Sequence, residues 1–358
     1  MSSLKKISDR MSSVRATRQI TSSMKVVAVS RLKQKHAVFL RAVPYADELN
    51  RVIRRLVRSV RQRQQDESAT RPILPPWLEG TGSDGRYVVV VITADDGLSG
   101  TASVQVMQQA VRVIDYLQAK GKNVQIFAYG TRGADLLRTR YPDKTVSVLK
   151  QKAMKDTAVY VNAERLTAYM IELFDQHRFD VCLFVYNQFK SVVSQVPVIE
   201  QVIPNRVFYK ENPWDFLNKT DDADYIRRDS LGQKKIALKN SAFLSAIGGA
   251  DMLPSLQGVI FKTDPDTGKR APFLYDYEPS DTGLLHALMP QYLTAYIYRV
   301  LLESEVSDNA ARLMAMDNAT RNAGDMLNDL VRHYRRVRQS RITTDITETA
   351  GHRMGKET

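Results

Sequence analysis

Residues 313–337 read LMAMDNATRNAGDMLNDLVRHYRRV, and a repeat runs through them. Leu313, Met316, Thr320, Ala323, Leu327, Leu330, Tyr334 and Val337 follow one another at steps of 3, 4, 3, 4, 3, 4 and 3. That is the a/d seam of a heptad, and a strict 3.5-residue period winds paired helices into a left-handed supercoil. No proline follows Pro290. Residues 291–349 can therefore form one helix, roughly 90 Å long at ~1.5 Å per residue. A small domain is far narrower than that, so the helix must protrude and bury its seam against a partner.

The N-terminal segment is the partner within the chain. Leu4, Ile7, Met11 and Val14 lie on one helical face, and the stripe is read onward through Thr17, Ile20, Met24 and Val27. Helix is expected over about residues 3–62, with a kink or brief interruption at Pro44. Residues 64–86 hold three prolines and three glycines and read as a linker loop.

From residue 87 the period changes. Tyr87 to Thr93, Val124 to Tyr129 and Val181 to Tyr186 are short apolar runs with helical stretches between them. That alternation predicts a parallel sheet with helices on its faces over 87–205. Residues 206–282 are mixed and polar, an inserted or elaborated segment without a clear period. A C-terminal helix over 283–350 and a tail over 351–358 complete the chain. The expected architecture is α/β: antiparallel terminal helices in a left-handed coiled coil, with a Rossmann-like parallel-sheet domain between them.

Charge is placed unevenly. The chain has 358 residues and a net charge of +13; residues 1–63 hold 16 Lys and Arg against 3 Asp and Glu, which accounts for the whole excess. So basic a segment calls for an acidic partner: nucleic acid, an anionic membrane or an acidic protein surface. The one cysteine, Cys182, excludes an internal disulfide and a cysteine-built zinc site, and the five histidines show no ligand spacing. No cofactor and no metal is expected. Thr93 to Gly100 follows a strand, where nucleotides often bind. It lacks the glycine fingerprint and the phosphate-loop lysine, and Asp95 and Asp96 would repel a phosphate. A structural turn is the better reading. Asp95, Asp96 and Asp115 have no spacing that suggests a catalytic cluster, and Cys182, in an apolar strand, reads as an inert core residue.

Several stretches carry a resemblance. Tyr298 to Ser304 with Ala311 to Gly324, Ser3 to Ile7 with Gln19 to Ala28, and Tyr186 to Ser191 with Gln195 to Pro197 and Ile203-Pro204 resemble the gamma subunits of F-type ATP synthase. The likeness covers both ends and the α/β core. It fails over about 64–84 and 209–270, where this chain looks longer. It also departs at Ala94-Asp95-Asp96-Gly97-Leu98-Ser99-Gly100, where Asp96 stands for a basic residue and Ser99 for a cysteine.

The resemblance implies a rotating central shaft without catalytic residues of its own. Its implied partners are the alpha and beta subunits, a small epsilon- or delta-type subunit and the c ring, with no nucleic acid and with membrane contact only through the ring. The implied beta-subunit contacts are Met24, Lys25, Arg312, Arg338, Gln339, Thr343 and Asp345. Without the resemblance, Arg338 would read as part of a solvated basic face with Arg332, Arg335, Arg336 and Arg341. The weak seam positions Thr320, Ala323 and Tyr334 suit a rod turning in a sleeve, and equally an ordinary imperfect coiled coil. The implied place is peripheral on an energy-coupling membrane. Met1 precedes the matching helix directly, which favours the cytoplasmic side of a bacterial plasma membrane; the matrix side of a mitochondrial inner membrane is the alternative. Two rival functions stay open here, a basic coiled-coil nucleic-acid binder and an enzyme using the α/β domain.

Overall fold

The computed structural model describes residues 3–66, 74–142, 146–149, 156–205, 213–218 and 281–354. Its helices are α1 (Ser3–Asp66), α2 (Pro76–Glu79), α3 (Ala102–Ala119), α4 (Thr131–Arg140), α5 (Asp156–Asp175), α6 (Asp215–Asn218) and α7 (Asp281–Met354). Its strands are β1 (Arg86–Ile92), β2 (Asn123–Tyr129), β3 (Val146–Leu149), β4 (Val181–Phe189) and β5 (Gln195–Ile203). The chain divides into two compact units, residues 1–31 with 312–358, and residues 32–311. Most of the 209–270 stretch lies outside the described residues.

The first unit is a pair of helices. Along α7, Leu313, Met316 and Ala323 are buried, and Thr320, Leu327, Leu330, Tyr334 and Val337 are half-buried. Two contacts set direction and register. The hydroxyls of Thr21 and Thr320 are 2.9 Å apart, and Lys25 Nζ lies 2.8 Å from Asp317 Oδ1. Partners that rise along α1 fall along α7, so the helices are antiparallel.

The α1 seam differs from the expected stripe. Leu4, Ile7, Met11 and Val14 are half-buried as expected, but Thr17, Ile20, Met24 and Val27 are exposed, and Thr21, Lys25 and Ala28 take the inner positions. The cause is the heptad itself. A step of 3 from Met11 to Val14 must be followed by a step of 4, so the seam passes to residues 18, 21, 25 and 28. Following apolarity alone put three steps of 3 in succession, 11 to 14 to 17 to 20, and rotated the face outward. Pro44 lies within α1 without a break in the helix. Its ring is at an exposed position.

The second unit is built on a sheet of order β3-β2-β1-β4-β5. The first four strands are parallel, and β5 is antiparallel to β4. Residues 190–194 join β4 to β5. A connection that short makes a hairpin, whereas a parallel return needs a crossover of a dozen residues or more. The expectation of a parallel sheet thus holds for four strands and gains an antiparallel edge. Side chains alternate across the sheet. Tyr87, Val89 and Val91 with Val124, Ile126, Ala128 and Leu183 join the core that includes Val106, Ala110, Val113, Ile114 and Leu117 of α3. Against the other face lies α5: its Met170 Sδ is 3.9 Å from Cys182 Sγ of β4, and its Phe174 meets Phe179 at a tilt, ring centroids 5.5 Å apart.

Short segments close the sheet. In the stretch read as a linker loop, Leu74 and Leu78 are buried, and Trp77 O accepts from Asn205 N at 2.7 Å. Trp214 meets Tyr87 and Tyr116 edge-on at 6.1 and 6.4 Å. Asn218 pairs with both backbone groups of Ile199, at 2.7 and 3.0 Å, and so occupies part of the exposed side of edge strand β5.

Candidate functional site on the terminal helices

The residues that would meet other chains lie on the paired helices. The shifted seam leaves Ile20, Met24, Val26 and Val27 outside, with Met24 40% and Val26 67% exposed. Lys25 is turned inward to Asp317, whose other carboxylate oxygen pairs with Arg321 of the next turn of α7. Met24 and Lys25, named together from the sequence, thus point to different surroundings. Arg312 is half-buried. Arg338, Gln339, Thr343 and Asp345 fall in a run, 338–347, in which every residue is exposed. Thr343 Oγ1 donates to Gln339 O at 3.0 Å, a bond within the helix. Counted from the 21–320 and 25–317 contacts, Leu4 stands opposite Val337, so the half-buried positions of α7 end where those of α1 begin.

The other candidate was the turn after β1. Gly130 sits at φ +100°, and a Cβ there would strike the carbonyl of Thr93, so the start of α4 lies hard against the end of β1. Asp95 Oδ1 accepts the Thr131 amide at 2.6 Å, and Thr93 Oγ1 accepts the Gly133 amide at 2.9 Å. In nucleotide-binding folds a phosphate commonly sits at such a helix start. Here the chain's own carboxylate and hydroxyl take the amides. Asp115 accepts instead from Tyr141 OH at 2.7 Å. No group of three or more His, Cys, Asp or Glu among the described residues could hold a metal ion. Cys182 is buried, and burial pushes its thiol well above the usual range.

Two polar clusters escaped sequence reasoning. Asp180 is buried just before β4 and accepts from Arg86 N at 3.0 Å, Arg86 Nη2 at 2.8 Å and Thr81 Oγ1 at 3.1 Å. These donors, Arg86 first, hold its carboxyl down to about 2. The second cluster joins α7 to the β4–β5 hairpin. Arg299 pairs with Glu303 at 3.3 Å and lies 3.7 Å from Glu200 of β5, which accepts from Tyr186 OH at 2.8 Å. Burial raises Glu303 to about 7 against the opposing pull of Arg299. The available signal was an acid, Glu303, directly after the apolar run Val300-Leu301-Leu302.

A family model described as ATP synthase matches residues 3–351. The chain belongs to the ATP synthase gamma chain family. It is 32% identical over 348 residues to the ATP synthase gamma chain of Chelativorans sp. (strain BNC1), covering 97% of each chain. To the gamma chain of Rhodospirillum rubrum it is 30% identical over 348 residues, again covering 97% of each. Its fold is like that of a chain in the cryo-EM structure of Euglena gracilis mitochondrial ATP synthase, OSCP/F1/c-ring, at a TM-score of 0.54 and 15% identity, covering 98% of this chain and 94% of that one. Gamma chains are the rotary central-stalk subunits of ATP synthase, and catalysis is by the beta subunits. This member therefore works as a non-catalytic part of a membrane-associated complex. None of its described helices is long and apolar enough to cross a membrane.

Proposed function

We propose that the paired terminal helices turn inside a hexamer of alpha and beta subunits, and that the α/β unit, with a small epsilon- or delta-type subunit, grips the c ring. The observation that carries this reading is the exposure of one helix run, 338–347, together with an apolar surface further along the pair at Ile20, Met24 and Val27 that the seam does not use. Arg338, Gln339, Thr343 and Asp345 on that run, with Met24 and Arg312, are the residues assigned to beta contact. Lys25 acts through Asp317, by holding α1 in register beneath Met24.

The mechanism is allosteric in the strict sense. A shaft that presents a different side chain to each beta subunit interacts unequally with their conformations. Turning it therefore shifts each site between states that differ in affinity for ADP, phosphate and ATP. Many weak contacts suit this better than a few strong ones, because strong ones would trap the shaft at one angle. Basic residues such as Arg15 and Arg18 on α1 add long-range attraction to acidic partner surfaces. The complex is placed on an energy-coupling membrane, with the cytoplasmic side of a bacterial plasma membrane as our assignment.

Co-expression with alpha and beta subunits from the same source, followed by gel filtration and an ATPase assay, tests the reading. We expect one copy of the chain per hexamer and turnover that depends on it. A chain that elutes alone, with beta turnover unchanged by its presence, would sink the proposal. Steeply salt-dependent DNA binding would then support the nucleic-acid reading.

A further inference from the structure

The α/β unit is fastened to α7 by an unusual joint. Strand β4 runs on past its pairing with β1, which ends at Val185, to Phe189. On the other side, Ile199 of β5, opposite Val185, gives both its backbone groups to Asn218, so by the alternation of an antiparallel ladder the backbone groups of Asn187 and Phe189 also turn away from β5, toward the side that β1 has left. The last residues of β4 thus carry backbone groups that no strand meets on the β1 side, in a buried place where such groups must find partners. Helix α7 supplies them. Glu303 Oε1 accepts the Phe189 amide at 3.3 Å, and Ser307 Oγ donates to Asn187 O at 2.9 Å.

The spacing is commensurate. Residues 303 and 307 are four apart on a helix, about 6 Å along its axis. Residues 187 and 189 are two apart on a strand, about 6.8 Å. Two side chains of one helix face therefore act as a substitute strand edge for β4. Glu303, Ser307 and Asn187 are all buried, Ser307 completely. Arg299, one turn before Glu303, extends the joint to Glu200 on β5, and the ring of Tyr296 lies 5.1 Å from its guanidinium. Lys35 of α1 pairs with Glu305 at 3.0 Å on the same stretch of α7.

We propose that Glu303 and Ser307 form a torque clamp, fixing the β4–β5 hairpin to α7 so that turning the sheet turns the helix without slack. This rests on the central-stalk reading above. Packing of apolar side chains resists separation, but it resists sliding along or around a helix poorly. Paired bonds to a strand's backbone resist both. Glu303 and Ser307 are thus positioning residues for energy coupling and touch no nucleotide.

The test uses the whole ATP synthase assembled with this chain. The alpha–beta hexamer is immobilised, a bead is attached to the c ring, and the torsional stiffness of the rotor is read from the angular fluctuations of the bead. The wild-type complex must first show ATP-driven rotation; if it assembles and hydrolyses ATP without rotating, the central-stalk reading fails, and the clamp with it. In Glu303→Ala the stiffness should fall at least two-fold while unloaded ATP hydrolysis stays within two-fold of wild type. Glu303→Gln keeps an acceptor for the Phe189 amide and should recover most of the stiffness. Ser307→Ala removes one hydroxyl and should soften the rotor by a smaller step, which keeps the test decisive if Glu303→Ala does not assemble. Wild-type stiffness in Ser307→Ala, or in an assembled Glu303→Ala complex, would overturn the clamp. A Glu303→Gln complex as soft as Glu303→Ala would overturn the part assigned to the amide bond.

Discussion

The two halves of α7 are one continuous helix in two unlike environments. Between residues 285 and 311 it is buried on nearly every side, with Leu285, Met289, Val300, Leu302 and Val306 wholly enclosed. From 320 to 337 only one stripe is shielded, and it is half-buried at most positions. A helix that is apolar all round belongs inside a domain, whereas one with a narrow stripe belongs to a two-stranded seam. The difference teaches where each half takes its stability. The first half is held by burial and by bonds to β4. The second is held by a thin seam with polar members, Thr320 against Thr21 and Asp317 against Lys25, and keeps most of its surface for other chains.

Truncation of the core should show the largest contrast. Leu302→Ala is expected to destabilise the chain by about 2–5 kcal/mol, the usual range for a buried leucine. Leu327→Ala in the seam should cost about 1 kcal/mol, since it loses only a partly buried surface. Denaturant unfolding of the purified chain measures both, and equal losses would erase the distinction between the two halves.

The next effect is on pH dependence and is confined to the sheet-bearing half. Asp180 is held at about 2, below its ordinary value near 3.8, so its contribution is present above that value and lost as pH falls through about 2. Asp180→Asn should flatten the acid limb of the stability curve. Glu303 has the opposite sign. Its pKa is raised to about 7, so the stability linked to its proton is full below about 4.5 and lost as pH rises through 7. Glu303→Gln should remove that slope between about pH 4.5 and 7. A curve unchanged by both substitutions would contradict the account of the two clusters.

These expectations also mark what the sequence could and could not say. The α7 seam was legible because its period was unbroken over 25 residues, and β1, β2 and β4 because their apolar runs were uninterrupted. Strand β3 has four residues, too few to show a period. Strand β5 carries Pro197 and Glu200, which break its apolar pattern although both have structural partners. The α1 seam was misplaced because apolarity and heptad phase disagree at residues 17–28, and phase prevails once α7 is present. Asp180 and Glu303 are isolated acids in sequence, and their roles arise only from contacts with residues 94 and 114 positions away. The beta-contact residues came from resemblance alone, because a surface that meets another chain leaves no period in its own.

Smaller effects fall in the seam. Lys25→Ala should cost about 1 kcal/mol or less, because its pair with Asp317 is partly exposed and Asp317 keeps Arg321. Arg338→Ala with Gln339→Ala should change stability by no more than about 0.5 kcal/mol, as exposed positions usually do. The same pair should lower ATPase turnover of the assembled complex several-fold. A loss of stability without a loss of turnover would move these residues from contact to structure.

The central claim is that the chain turns, and its chemistry permits a direct look. Cys182 is the one cysteine and is buried, so an Asp135→Cys substitution, at a side chain 78% exposed on α4, creates a single accessible thiol. With the alpha–beta hexamer immobilised and a bead on that thiol, saturating ATP should drive continuous rotation in one direction. A bead that stays still while the hexamer hydrolyses ATP and holds the chain would contradict the account.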